Sequence, residues 1–182
     1  MSDHAEGTAA MPEFFKLGNH LARIRYFFIA VVVVLAVRML ENTVHEYAHV
    51  AMVLLSGGGL TRPPLVTPFG GVTWWHDVAA AWLPAVNISG TAVSAAVMLG
   101  IFLPVYFKAR HPWLRWLGYW GGCVVPVNTF FYWFMAPFLA TNPTYDPIAF
   151  AMNVGLEPTW LIGIIACVPF SIAAWWMVKS TR

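Results

Sequence analysis

Charge is what this sequence has least of. Lys, Arg, Asp and Glu make up 10% of its 182 residues, where a soluble domain carries about 25%. That is too little to solvate the surface of an ordinary soluble domain, and a net charge of +2 leaves no basic face for a nucleic acid. Cysteine is scarce as well. Cys123 and Cys167 both sit in apolar runs, which excludes a disulfide framework or a cysteine-based zinc site and reads as packing in helices. There is no internal repeat, low-complexity tract or second domain. The polar N-terminus has no short apolar core of the cleavable-signal kind, so insertion is expected to depend on the first long apolar segment.

Apolar surface is abundant. Hydrophobic residues make up 59% of the chain, with 13 Phe and 10 Trp of the kind that suit a bilayer and its interfaces. The expectation is an all-α integral membrane protein with a polar segment over 1–25 and a single membrane domain over 26–182. Four stretches are long enough to cross about 30 Å of hydrocarbon, and they place transmembrane helices at 26–56, 86–107, 113–140 and 159–178. The first exceeds a perpendicular span, so it must tilt, project beyond the bilayer or divide near its polar centre.

The few charges are distributed unevenly. Lys16, Arg23 and Arg25 precede the first span, Lys108, Arg110 and Arg115 separate the second and third, and Lys179 and Arg182 end the chain. The connections over 57–85 and 141–158 hold only Arg62 as a basic residue. The positive-inside rule then makes both termini cytoplasmic and turns those two connections outward. The first of them, "SGGGLTRPPLVTPFGGVTWWHD", begins with glycines suited to capping a helix. It can form a short β-hairpin turning at Gly70–Gly71.

Against this apolar background stands "NTVHEYAHVAMVLLSGG". His45 and His49 are four apart, hence one turn apart on one helix face. Two imidazoles so spaced can share a zinc ion, with Glu46 beside them to take a proton from water. Ionisable residues within a membrane span are rare and usually functional; the plainer reading is polar glue between helices. Arg38, Glu41 and Asn42 continue the polar stripe, and an Arg38–Glu41 ion pair at i, i+3 accounts for two of them without any catalytic role. A catalytic zinc needs a third protein ligand. From spacing alone Asp146 and the His76–Asp77 pair are equally placed to supply it, whereas His111 and Glu157 read as an interfacial residue and the start of the last span. An aspartate at position 146 also suits a helix cap.

The motif in a membrane helix followed by a glycine-rich turn, "HEYAHVAMVLLSGGG", resembles the site-2 protease family of intramembrane zinc metalloproteases. The likeness covers roughly residues 41–155. It implies an aspartate as third ligand on a later membrane segment, and "NPTYDP" resembles that element through Asn142, Pro143 and Asp146, with shorter spacing and Pro147 where glycine is expected. "AVNISGTAVSAAV" resembles the small-residue helix of the family, which implies a substrate-orienting role for Asn87, although helix packing explains Asn87 equally well. A minimal core without a regulatory PDZ domain is expected. The implied activity is zinc-dependent hydrolysis of peptide bonds in membrane-embedded protein substrates. Two other readings follow from the same residues: a protease-like but non-catalytic subunit in a larger membrane complex with partner subunits, and, third, metal transport with the histidines as a transit site.

Overall fold

The computed structural model describes residues 20–135, 138, 144–156, 171 and 175. Helix α1 spans His20–Leu55, and the strands β1 (Gly59–Thr67) and β2 (Gly70–His76) follow. After a short 3-10 turn at Ala80–Trp82 come α2 (Leu83–Lys108), α3 (Pro112–Phe134) and α4 (Asp146–Val154). Among the described residues two helical segments are long and apolar enough to cross a membrane, His20–Leu55 and Ala80–Lys108. All but two residues of the expected 159–178 span lie outside the described residues, as do Asn142, Pro143, Glu157 and most of the polar N-terminal segment.

α1 is undivided. Its polar centre does not break it, because the stripe of Arg38, Glu41, Asn42, His45, Glu46 and His49 keeps helical spacing and turns inward. Glu41, Asn42, Glu46 and His49 are buried, while the exposed positions include Phe27, Phe28, Val32 and Leu55. The helix ends where the glycines predicted. Gly57 takes a positive φ of 81°, its N–H donates to Leu54 O at 3.1 Å, and Gly58 N–H reaches Val53 O at 3.0 Å. This pattern satisfies two of the last carbonyls and reverses the chain.

The reversal lays the β1–β2 hairpin back along α1. The strands pair antiparallel, with Thr67 opposite Gly70, so the turn is Pro68–Phe69 and lies two residues before the expected Gly70–Gly71. Thr67 is the cause: its Oγ1 accepts from Phe69 N–H (3.2 Å) and donates to Gly70 O (2.8 Å), while proline favours the first central position of a turn. Asn42 Nδ2 donates to Thr67 O at 2.7 Å, which pins the turn end of the hairpin beside the middle of α1.

α2 is the central helix and packs against α1, α3 and α4. Val37 of α1, Ala95, Met98 and Phe102 of α2, and Val125 of α3 form the main core cluster. The third apolar segment is helical as expected but stops at Phe134, short of the expected 140. α4 is a short helix with Gly155 in the left-handed conformation after its last residue. Asp146 is its first residue and Tyr145 precedes it as N-cap, so the aspartate is not the cap. Its side chain is turned elsewhere.

Candidate metal centre

α1, α2, α3, α4 and β2 converge on a cavity of about 650 Å³, bounded at one end by Arg38 and at the other by His45, His49 and Asp146. His45 Nε2 lies 3.0 Å from Asp146 Oδ2, His49 Nε2 lies 3.1 Å from the same oxygen, and the two Nε2 atoms are 3.1 Å apart. Among the described residues this is the one group of three or more His, Cys, Asp or Glu side chains close enough to hold a metal ion. His76 and Asp77, the alternative source of a third ligand, instead bond each other at 2.8 Å, with side chains 54% and 84% exposed. His111 is exposed at the N-cap of α3.

The protonation chemistry of the triangle tests whether an ion fits. His49 Nδ1 is 2.7 Å from Val86 O. A carbonyl only accepts, so Nδ1 carries the proton and, in the neutral ring, Nε2 presents its lone pair. That lone pair, the Nε2 of His45 and a carboxylate oxygen all point at one another. Such an arrangement is repulsive unless a ring proton or a cation lies among them. Ligand atoms around a tetrahedral zinc, with bonds of about 2.0–2.1 Å, stand about 3.3 Å apart, so the triangle needs only a slight expansion. The bond to Val86 is the kind of outer-shell contact that fixes a ligating imidazole. For Asp146, burial acts to raise the carboxyl pKa, but the hydrogen bonds and charge of His45 and His49 outweigh it and hold the group well below the usual carboxylate range.

Gly90 of α2 makes room for the rings. A Cβ built there would stand 2.5 Å from His45 Nε2 and closer still to His49 Nε2, so a side chain would fill the cradle. From the hairpin side, Trp75 stacks on His49 with centroids 6.1 Å apart and planes at 30°. His49 is 2% exposed as a result.

Glu46 stands beside the triangle without joining it. Thr73 Oγ1 donates to Glu46 Oε2 at 2.7 Å, and β2 passes so close that a Cβ on Gly71 would overlap the Glu46 carboxylate. The hairpin therefore orients this side chain. At the other end of the cavity, Arg38 and Glu41 form the expected ion pair at 2.6 Å, and Asn128 Nδ2 of α3 donates to Glu41 Oε1 at 3.0 Å. Asn87 is buried on the cavity wall, near Thr91 and Ser94 of its own helix.

Four contributors escaped the sequence reading: Thr73, Gly90, the Val86 carbonyl and Tyr132, whose hydroxyl donates to Asp146 Oδ2. Gly90 lies within the quoted "AVNISGTAVSAAV" stretch, three residues from Asn87, where a glycine in a helix interior is a signal of close approach. Nothing in the sequence distinguishes Thr73, Tyr132 or Val86 from their neighbours. No protein-family model, curated protein or solved structure matches the chain.

Proposed function

We propose that the chain is an intramembrane zinc metalloendopeptidase that hydrolyses peptide bonds of membrane-embedded protein substrates. The observation that carries this reading is the triangle of His45 Nε2, His49 Nε2 and Asp146 Oδ2, with the separate carboxylate of Glu46 adjacent in sequence and held by Thr73. A transit site for metal has no need of a carboxylate kept out of the ligand set, whereas general-base hydrolysis requires one. The membrane setting is supported by the two long apolar helical segments and by the exposed Phe27, Phe28 and Val32 of α1. The uneven distribution of basic residues supports a multi-pass chain with both termini cytoplasmic.

Zinc held by His45, His49 and Asp146 would polarise the scissile carbonyl and lower the pKa of water toward about 7. Glu46 receives the proton of the attacking water on its carboxylate and passes it to the leaving amine. Thr73 keeps that carboxylate in one orientation through the transfer. The polar wall of the cavity, including Asn87 and Thr91, offers hydrogen-bonding groups to a locally unwound substrate segment.

The test uses the full chain reconstituted in liposomes with a membrane-spanning peptide. Zinc co-purifies, chelation stops cleavage and added zinc restores it. Glu46→Gln retains the metal and cleaves roughly 10²- to 10⁴-fold more slowly. Equal cleavage by that variant defeats the peptidase assignment and leaves a metal-holding membrane subunit.

A further inference from the structure

α3 gives no ligand to the triangle, yet one of its side chains reaches it. Asn128 and Tyr132 are four residues apart on α3, and the same spacing separates Glu41 from His45 on α1. Asn128 meets Glu41. Tyr132 Oη donates to Asp146 Oδ2 at 2.9 Å, the same oxygen that faces both imidazoles. The phenol is aimed by its surroundings. Its ring stands edge-on to His45, with centroids 5.8 Å apart and planes at 88°. Tyr145 packs edge-on against its other side at 4.6 Å and 70°, and the Tyr145 hydroxyl donates to the Tyr132 carbonyl. Tyr132 is thus clamped between a ligand on α1 and the residue preceding a ligand on α4.

A carboxylate oxygen has two lone pairs. With one engaged by a fixed phenol, Oδ2 keeps the other turned toward the two imidazoles, and rotation of the carboxylate would break the bond. We infer that Tyr132 is a positioning residue that holds Asp146 Oδ2 toward the two imidazoles, the orientation in which it would serve as the third ligand. This rests on the metal-centre reading above. It explains why a helix that brings no ligand is packed hydroxyl-first against the centre. Losing an outer-shell partner of this kind typically weakens metal affinity 10- to 100-fold.

The experiment compares the full-length protein with its Tyr132→Phe variant in detergent micelles. Zinc affinity is read by competition with a chromophoric chelator, and cobalt is substituted for zinc to read coordination from its visible spectrum. The variant is expected to bind zinc roughly 10- to 100-fold more weakly. Its cobalt spectrum should depart from the native one as the carboxylate is freed to turn, while metal-free thermal stability falls by less than the loss in free energy of zinc binding. Native affinity and a native cobalt spectrum in the variant overturn the inference. So does a loss of affinity accompanied by an equal loss of metal-free stability, which marks a packing role. If the native protein itself binds neither metal, the metal-centre reading fails, and this inference with it.

Discussion

Asp146 Oδ2 and His45 Nε2 lie 3.0 Å apart although 101 residues separate them along the chain. The helical repeat of α1 brings His45 and His49 together locally, but the third corner of the triangle arrives only when α4 docks. The centre is therefore a tertiary feature, completed by the packing of α4 on α2.

Gly90→Ala tests the cradle. Alanine is a better helix former than glycine by about 1 kcal/mol, so α2 persists, yet the added methyl group meets both Nε2 atoms. Overpacking of this kind costs about 1–3 kcal/mol, which corresponds to a roughly 5- to 150-fold loss of zinc affinity. Metal titration together with circular dichroism checks the prediction; unchanged affinity would show that the rings have space the structure does not give them.

Thr73→Val separates base from ligands. The variant keeps the shape of the side chain and removes the hydroxyl that Glu46 Oε2 accepts. Hydrogen bonds to charged groups contribute about 1.5–3 kcal/mol, so kcat/KM is expected to fall roughly 10- to 150-fold at constant zinc content. Peptide-cleavage kinetics beside metal analysis read the two quantities separately, and a loss of metal would mean that the hairpin serves the ligands as well.

Glu41→Leu leaves the Arg38 guanidinium without its carboxylate. Breaking a buried pair costs about 3–5 kcal/mol. The Arg38 side chain keeps 18% exposure, so the lower end of that range applies. Replacing both residues by Leu and Met should recover most of the loss, because two apolar side chains are desolvated without penalty. Unfolding titrations of the single and double variants decide this; equal stability in both would mean that leaving Arg38 without its carboxylate carries no cost.

The local features were legible in the sequence because their causes are local. The spacing of His45 and His49, the i, i+3 pair of Arg38 and Glu41, and the glycine stop after Leu55 all follow from a repeat of 3.6 residues. The long helices follow from apolar runs. The hairpin turn was misplaced because a glycine pair is a strong turn signal, whereas the turn actually used is made by the Thr67 hydroxyl and Pro68. The choice between Asp146 and His76–Asp77 could not be made from spacing, since it depends on how α4 docks against the bundle. Thr73 and Tyr132 are ordinary residues of their elements, and only packing across helix and hairpin gives them work.

The unbroken α1 has a mechanical consequence. Its 36 residues make a rod about 54 Å long, well beyond the roughly 30 Å of a hydrocarbon core. Under the proposed membrane setting such a rod would have to lean or project beyond the hydrocarbon. His45, Glu46 and His49 ride on that lever together, whereas Asp146 is carried by a different helix, so any tilt of α1 against α4 would change how tightly the two arms close.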